Sequence, residues 1–471
     1  MAAIANNNKD HDYNYEHDHM TTPGRQRISP LRLALKNFTS QFFLIPQGTG
    51  ILSVVLHQLH YQFPGLTIIS RICGILTAVC LFAFLALYLL RCCLFPAHVW
   101  TQLRTAIMET ACLSSIVISY TTLIQNIALN LHWAEGVVVG LWWANVALAA
   151  LACVGTPYVF TKVHSPGIDW VPPGILLPLI AALTAAAGGG VVASYVAGAK
   201  REDVVAVSFL LIGLGLPLSV VVDAVFLARL MDRHFPVHEE VFKLMILCGP
   251  LGQGGFAMMI LGVVIEKAPR QVGGGSFLND DTVGKSSQFL GMITWVSYLP
   301  YLLVTDDDDD DDKRDMFADD DGGYYLQGYG TFWWAFACIA IGHALVTTPK
   351  EIFHWTKILA AWSLVFPWGV YTNAAVELGM ILDSVAFNVW STVLTVLLVL
   401  LWLVNAAATI AGLLNGKLLG LEKGWRGVYL DEVKEDEEKQ ENLQNGEDGE
   451  DAVANSRFQG LNAGLRRREG S

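Results

Sequence analysis

Ten long apolar runs alternate with shorter polar connections along the chain. An α-helix needs about 20 predominantly apolar residues to cross the hydrocarbon core of a bilayer. The runs occupy residues 39–58, 67–95, 105–129, 137–160, 174–198, 204–230, 241–265, 325–347, 357–379 and 385–415. This pattern predicts an all-α polytopic membrane protein with ten transmembrane spans, numbered 1 to 10 in chain order.

Polar segments flank this predicted membrane domain at both ends. Residues 1–38 and 419–471 are poor in aliphatic side chains, so they cannot bury enough apolar surface to offset the entropy lost on ordering. We predict two disordered cytoplasmic tails around a ten-helix transporter domain over 39–418, which carries an acidic insertion at 270–324. The N-terminal segment has no apolar core of the secretory type, so span 1 itself is expected to direct insertion.

A shorter apolar segment at 289–304 interrupts the alternation of spans and connections. An eleventh crossing at this segment, which contains Pro300, would move the C-terminal tail outside and reverse the last two spans. The positions of Lys350 and Lys357 argue against such a reversal. We predict that the segment lies on the membrane surface or re-enters the bilayer.

Lysine and arginine flank the spans unevenly, and the positive-inside rule assigns the richer side to the cytoplasm. They are concentrated before span 1, in the even-numbered connections and after span 10, at Arg25, Arg27, Arg32, Lys36, Arg91, Arg104, Lys162, Arg229, Arg233, Lys243, Lys350, Lys357, Lys417, Lys423 and Arg426. We therefore predict that both termini are cytoplasmic and that the acidic run at 306–312 is extracellular. The sequon at Asn37 then lies on the side where it is not glycosylated.

Four prolines recur at near-constant spacing within the apolar runs, each followed by glycine. They are Pro46, Pro178, Pro250 and Pro367, in spans 1, 5, 7 and 9. A proline within a helix leaves one carbonyl without its donor, which a membrane tolerates only where the helix faces other helices or a water-filled cavity. The spacing predicts five helix pairs whose odd-numbered members surround a central pore. Span 3 departs from the pattern, with serines around 112–120 in place of proline.

Each proline break also predicts a way to bind an anion. The helix that follows begins with a partly positive N-terminus whose backbone N–H groups can face a small anion. Glycines near the breaks either let the anion approach the backbone or serve close helix packing. Their recurrence on alternate spans favours a pore. The glycines concerned are Gly48, Gly50, Gly188, Gly252, Gly254 and Gly369.

The composition supports a membrane protein and excludes several other classes. Only 15% of the residues are charged, against about 25% in soluble domains. The net charge of −13 comes largely from the acidic insertion and the C-terminal tail, so it does not report on a transported species. The eight cysteines have no zinc or disulfide spacing, and no catalytic or nucleotide-binding motif is present. We expect no enzymatic activity, no metal, no cofactor and no nucleic-acid partner.

Three acidic residues lie within the predicted spans, namely Glu109, Asp223 and Glu377. A charge at the bilayer centre costs roughly 2.5–3.5 kcal/mol on insertion scales, so each is a candidate functional residue. Glu109 lies at the cytoplasmic start of span 3 near Arg104, and Glu377 lies near the outer end of span 9. Hydration or ion pairing is the alternative explanation for both.

Several motifs resemble one known family. They are GTGIL at 48–52, YQFPGL at 61–66, LWW at 141–143, LLPLIAALTAAAGGGVVA at 176–193, CGPLGQGGF at 248–256 and WSLVFPWGV at 362–370. Over roughly 39–415 the chain resembles the tellurite-resistance/dicarboxylate transporter family, which includes the plant guard-cell slow anion channels. GPLGQG and FPxG are most similar to fungal sulfite efflux pumps, whereas GTG is shared with malic acid permeases.

The resemblance implies ten helices arranged as five hairpins around a central pore with quasi-fivefold symmetry, assembled as a homotrimer in the lipid bilayer. It also implies a gate, because in channel members a phenylalanine just before the proline of the ninth helix plugs the pore. Phe366 occupies that motif position here. The alternative for Phe366 is an ordinary core aromatic residue.

The polar residues of the odd-numbered spans are candidates for a substrate path. They are Gln47, Thr49, Ser53, Ser115, Tyr120, Thr184, Gln253, Tyr371, Thr372 and Asn373, with Glu377 near the outer end. The favoured function is export of a small anion, with sulfite as the first choice, across the plasma membrane. No lysine or arginine lies in the middle of an odd-numbered span, which favours weak binding suited to permeation.

Two other transport functions stay open from the sequence. A C4-dicarboxylate permease for malate should need a firm cationic partner, and the odd-numbered spans offer only Arg104 and Lys243 near their cytoplasmic ends. A channel for chloride or nitrate is the second alternative. A receptor with signalling tails is less favoured, because it would not explain glycines along the axis.

Overall fold

The computed structural model describes residues 27–130, 135–164, 167, 171–233, 241–267, 281–296, 329–348, 357–427 and 429–430. The chain divides into one unit over Ala34–Glu422 and another formed by Met1–Leu33 with Lys423–Ser471. In the second unit a strand β1, Arg27–Ile28, pairs antiparallel with β2, Tyr429–Leu430. Most of the two tails and of the acidic insertion lies outside the described residues, so their predicted disorder and location stay predictions.

The first unit is helical, as the apolar runs predict. Its long helices within the described residues are α1 Leu44–Gln58, α2 Leu66–Leu94, α3 Ser114–Asn130, α4 Glu135–Val159, α5 Leu177–Ala193, α6 Ala199–Arg233, α7 Cys248–Glu266, α8 Asp281–Val296, α9 Tyr329–Thr347, α10 Val365–Ile381 and α11 Val385–Leu414. Spans 1 to 7 correspond to α1 to α7, and spans 8, 9 and 10 correspond to α9, α10 and α11.

Length and hydropathy support a polytopic membrane protein. Eight helical segments of the described chain are long and apolar enough to cross a bilayer, or nine if the bent pair Pro30–Lys36 and Ser40–Gln58 forms one span. The predicted span 9 is made of Ile358–Ala361, a 3₁₀ turn and α10, whose own length is 17 residues. The all-α membrane architecture is therefore confirmed.

Five helices form an inner ring, and the others surround it. Going round the ring, α1 contacts α3, α3 contacts α5, α5 contacts α7, α7 contacts α10, and α10 contacts α1. In the apolar stretch that ends in α5, 94% of the residues are buried, and in the stretch that ends in α7 all of them are. In α2 and α11 the buried share is 28%. Hydropathy does not explain this division, because the outer helices α2 and α11 have a higher mean hydropathy than the segments ending in α5 and α7. The quasi-fivefold symmetry implied by the resemblance stays a prediction.

The four repeated prolines occupy the same place in their helices. Each is the second or third residue of its α-helix and follows a 3₁₀ segment, where a missing N–H removes no hydrogen bond of the α-helix. These segments are Ser40–Phe43, Pro173–Leu176, Val241–Leu247 and Trp362–Leu364. The helix α3 has no such proline but also begins after an interruption, because a short helix Ile107–Ala111 ends before it. Every inner helix therefore restarts near one end of the ring.

The helix α8 argues against one of the two placements predicted for segment 289–304, on the membrane surface, and leaves the re-entrant placement as a prediction. A Cβ on Gly291 would lie 2.7 Å from the carbonyl oxygen of Gly255, and one on Gly284 would lie 3.0 Å from that of Gly262. These pairs run in opposite directions along the two helices, so α8 packs antiparallel to α7 at backbone contact. Residues 289–296 therefore do not lie on the membrane surface. Residues 297–304, with Pro300, lie outside the described residues.

Candidate functional site

A small cavity lies inside the inner ring at the level of the proline breaks. It is lined by Leu44, Gln47, Leu177, Ile180, Ile246, Trp362, Ser363, Phe366 and Pro367. These residues come from four of the five segments that form the inner ring, with the 3₁₀ turns included. The cavity therefore lies between the inner helices, and we call it the axial cavity. Its volume is about 10 Å³, which leaves room for about one water molecule. The cavity is therefore too small to hold an anion larger than water.

Phe366 lines this cavity. Its side chain is 1% exposed, and its role as a gate stays a prediction. The neighbouring faces of α10 contact other helices. Gly369 packs on Ile51 of α1, and the indole of Trp368 donates to the carbonyl of Leu394 in α11 at 3.0 Å. The remaining face of α10 carries Phe366, Asn373 and Glu377.

Several buried polar side chains of the inner helices have an atom without a hydrogen-bond partner. They include the amide oxygens of Gln47 on α1, Gln125 on α3 and Gln253 on α7, the Ser115 hydroxyl on α3 and both amide atoms of Asn373 on α10. None of these side chains is more than 1% exposed. Leaving a buried polar group unpaired costs about 1–3 kcal/mol. Polar groups with this cost are expected where a ligand or water comes to meet them.

Gln125 is the member of this group that sequence reasoning missed. A Cβ added to Gly188 of α5 would lie 3.8 Å from Gln125 Cγ, so Gln125 lies where α3 approaches α5. The sequence did contain a signal for Gln125, because its side-chain amide lies in the middle of an apolar span. Asparagine and glutamine also serve as helix contacts in membranes, and Asn126, the next residue, does this by accepting a hydrogen bond from Ser53.

Two predicted path residues on α1 point away from the axis. Thr49 Oγ1 donates to the carbonyl of Ile45 at 2.8 Å and accepts from the indole of Trp402 in α11 at 3.0 Å. Ser53 Oγ lies 2.7 Å from the carbonyl oxygen of Ser70 in α2. Both hydroxyls take part in contacts between helices, and their role as substrate contacts stays a prediction. Of the predicted path residues on this helix, Gln47 lines the axial cavity.

The remaining candidates are divided between the inside and the outside of the ring. Thr184 is buried on the same face of α5 as Ile180, to whose carbonyl it donates at 2.7 Å. Tyr120 is partly exposed, unlike Ser115 and Gln125 on the same helix. Tyr371 and Thr372 face the outer helices: Tyr371 stacks on Trp334 of α9, and Thr372 donates to the carbonyl of Trp368.

The glycines near the breaks lie at helix contacts. A Cβ on Gly188 would lie 2.6 Å from Thr121 Cγ2, closer than real side chains approach. The corresponding nearest distances are 3.0 Å at Gly48, 2.1 Å at Gly50, 3.1 Å at Gly252, 2.9 Å at Gly254 and 2.7 Å at Gly369. In each case the space belongs to a neighbouring helix, so close packing accounts for these glycines. They determine how narrow the ring is.

The expected free N–H groups at the breaks are largely occupied. Leu44 N–H bonds to the carbonyls of Gln41 and Phe42, and the N–H groups of Leu177 and Val365 bond to carbonyls of their own 3₁₀ turns. The 3₁₀ turns supply acceptors that a simple helix break would lack. The unpaired Ser115 hydroxyl and Asn373 amide nitrogen are therefore better placed than these backbone groups to donate to an anion.

The buried acid Glu109 belongs to a structural network. Its carboxylate accepts from Arg91 Nη1 at 2.5 Å, from Ser40 N–H at 3.0 Å and from Tyr88 OH at 3.2 Å. Arg91 also donates to the carbonyl of Lys36 at 3.0 Å. The sequence suggested Arg104 as the neighbouring cation, but Arg91 is the actual partner. The network joins the start of α1, the end of α2 and the short helix before α3.

The other two intramembrane acids lie in different layers. Glu377 is 6% exposed on the inner face of α10, one turn beyond Asn373. Asp223 lies on the outer helix α6 and is fully buried, and neither of its carboxylate oxygens has a hydrogen-bond partner. Within the described residues, no group of three or more histidine, cysteine or acidic residues is arranged to hold a metal ion.

A ring of buried helices inside an all-α membrane protein is consistent with a channel or carrier, and sequence comparison identifies the family. The profile of the SLAC1 family, described as voltage-dependent anion channel, matches residues 37–410. The chain belongs to this family. It is therefore a membrane anion transporter, and the resemblance noted from its motifs is confirmed.

Individual relatives carry two kinds of name. The sulfite efflux pump SSU1 of Arthroderma benhamiae is 27% identical over 384 residues, which cover 80% of this chain and 91% of that protein. The protein of the same name from Trichophyton rubrum is 26% identical over the same shares. The malic acid transport protein of Schizosaccharomyces pombe is 21% identical over 79% of this chain and 78% of that protein.

Proposed function

We propose that the chain exports sulfite along the axis of the inner ring and that Phe366 is the gate. The observation that carries the proposal is the position of Phe366 on an axial cavity with room for about one water molecule. An apolar aromatic side chain at a constriction blocks a pore both sterically and by excluding water. In this proposal the structure is a closed state, and the phenyl ring must move out of the axis before an anion can pass.

The polar groups inside the ring suit an anion that binds weakly. The α-helices α1, α3, α5, α7 and α10 contain no lysine or arginine, so no fixed positive charge lies along their length. Neutral donors such as the Ser115 hydroxyl and the Asn373 amide nitrogen, both buried without a partner, replace part of the hydration of an anion without holding it firmly. Permeation requires this balance, because an ion that binds tightly does not leave.

The same chemistry favours sulfite over malate. Two carboxylates are recognised most strongly by charged donors such as arginine, and the inner α-helices provide none. Sulfite is a single small oxyanion that neutral donors can surround. The curated relatives named as sulfite efflux pumps are also more similar to this chain than the named malic acid transporter, at 26–27% against 21% identity.

The cellular setting belongs to the same proposal. An exporter of a toxic small anion acts at the plasma membrane, with both tails in the cytoplasm according to the charge distribution. A homotrimer, in which each protomer has its own axial path, is the assembly that the family resemblance implies. In such an assembly the transport unit is the single chain, so flux per chain does not depend on the partners.

The test is a flux measurement on the purified full-length protein in liposomes. Sulfite, malate and chloride fluxes are measured with and without a proton gradient, with protein-free liposomes as the control. We expect sulfite flux above the control and little malate flux. Gradient-dependent malate uptake without sulfite flux would establish a dicarboxylate permease instead, and chloride flux alone would establish a channel.

A further inference from the structure

A deep groove on the outside of the bundle has no assigned occupant. It lies between α11 on one side and the α1–α2 hairpin on the other, and its volume is about 620 Å³. Leu52, Leu56 and Cys73 form the wall on the hairpin side, and Val399 and Leu403 form the wall on α11. The groove is therefore open where two neighbouring helix pairs of the membrane domain meet.

The polar side chains in the lining already have partners within the protein. The hydroxyls of Thr392 and Thr395 donate to carbonyls of their own helix at 2.8 Å and 2.7 Å. Gln62 donates to the carbonyl of Leu59 at 2.8 Å, and the indole of Trp402 donates to Thr49. A ligand in the groove therefore finds apolar walls and few polar partners. A polar ligand would lose its own hydrogen bonds there, whereas a hydrocarbon chain loses nothing.

One end of the groove has the character of a membrane interface. The connection between α1 and α2 closes this end and presents Tyr61 and Phe63, which are 45% and 57% exposed. Tyrosine, which combines an aromatic ring with a polar end, is enriched at the level of lipid headgroups, and Phe63 adds apolar surface beside it. A lipid with its headgroup beside this connection would extend its acyl chain along α11 towards the middle of the bilayer.

The deep end of the groove is connected to the gate cavity by two tryptophans. Trp402 lines the groove, and its ring packs edge-on against Trp362 with 6.5 Å between the centroids. Trp362 in turn lines the axial cavity together with Phe366. Trp402 also bonds to Thr49, on the same helix as the cavity residue Gln47. A ligand in the groove that contacts Trp402 therefore acts on two elements beside the axial cavity, namely the turn that carries Trp362 and the helix α1.

We propose that this groove binds one acyl chain of a membrane lipid and that its occupancy acts on the Phe366 gate through Trp402 and Trp362. The binding half of the proposal is independent of the transported anion. The regulatory half rests on the proposed function of Phe366. The two halves are tested by separate measurements, so that the failure of one is distinguishable from the failure of the other.

Binding is tested with a groove-filling variant and a matched control on the same helix. Val399→Phe places an aromatic ring in the groove, and Val393→Phe makes the same change at a surface position that does not line it. Native mass spectrometry of the purified full chain in mild detergent counts the lipids that each protein retains. We expect wild type and Val393→Phe to retain one more lipid per chain than Val399→Phe, at equal melting temperature.

Two results would overturn the lipid site. One is an equal number of retained lipids in wild type and Val399→Phe. The other is a change in the number of chains per particle in Val399→Phe but not in Val393→Phe, which would mean that a second copy of the chain covers the groove.

Coupling to the gate is tested by sulfite flux in liposomes. We expect Val399→Phe to change the flux severalfold relative to Val393→Phe, because the added ring presses on Trp402 permanently. Equal flux in the two variants, while only Val399→Phe loses its lipid, would refute the coupling. An absence of sulfite flux in every protein, wild type included, would count against the proposed function. The number of retained lipids would then still test whether the groove binds a lipid.

Discussion

Phe366 is the residue on which the transport proposal depends most directly. We expect Phe366→Ala to increase sulfite flux in liposomes, because it removes the ring that fills the axis beside a cavity with room for about one water. The control is Phe42→Ala, which removes an equally buried ring from an aromatic cluster with Phe38 and Phe84. Both changes are expected to lower stability by about 3–5 kcal/mol. Equal flux in wild type and Phe366→Ala would contradict the gate.

Arg91 and Glu109 provide a second test at the level of single residues. The pair is buried, with side-chain exposures of 1% and 3%, so removing one partner leaves an uncompensated charge. Such a change costs about 3–5 kcal/mol, and we expect Arg91→Met to lower the melting temperature sharply. Arg91→Met combined with Glu109→Gln should recover part of the loss, because no buried charge remains. A melting temperature unaffected by Arg91→Met would show that the network does not stabilise the fold.

The contact between α7 and α8 makes a prediction at the level of elements. Gly291→Val puts a side chain where a Cβ already lies 2.7 Å from the carbonyl oxygen of Gly255, so the helices must separate. Overpacking of this kind costs typically 1–3 kcal/mol. Gly342→Val, on α9, is the matched control because a Cβ there meets nothing within 4 Å. We expect thermal melting in detergent to show a loss of stability for Gly291→Val alone.

The same contact indicates that α8 and α9 are two parts of one outer element. A Cβ on Gly330 would lie 3.2 Å from the carbonyl oxygen of Trp295, so the start of α9 lies against the end of α8. The two helices have 16 and 19 residues, and the outer helix α6 has 35. Both pack on the segment that ends in α7. Together they take the place of its outer partner.

Excision of the intervening residues tests this interpretation. Joining Val296 directly to Tyr329 should give a folded protein with the sulfite flux of the wild type, because the ends to be joined are already neighbours. Fluorescence-detected size exclusion reports folding, and the liposome assay reports flux. A control deletion of residues 281–296 removes the helix that packs on α7 and should abolish folding. Aggregation of the excised protein would show that residues 297–328 are required for the fold.

At the scale of the whole molecule, the two ends of the membrane domain meet. The Asn37 side-chain amide, before α1, donates to the carbonyl of Leu419, after α11, at 3.1 Å. The chain therefore crosses the membrane an even number of times between these residues. We expect tags at the N- and C-termini to be digested together by protease added to one side of sealed vesicles. Protection of one tag with digestion of the other would contradict an even number of crossings.

The sequence by itself determined the features that depend on local chemistry. Hydropathy gave the helices, because a membrane accepts only segments that satisfy their own backbone hydrogen bonds. The spacing of Pro46, Pro178, Pro250 and Pro367 gave four members of the inner ring. These properties follow from the length, composition and first-turn geometry of each helix. They do not require knowledge of what the helix touches.

Tertiary structure decided everything that depends on which way a side chain points. Thr49 and Gln47 are two residues apart on α1, yet one bonds to an outer helix and the other lines the axial cavity. Polarity alone could not separate them, since a polar residue in a span serves helix packing as readily as transport. The partner of Glu109 and the glycine contact of α8 with α7 were equally hidden. Both join parts of the chain that only the packing of the helices brings together.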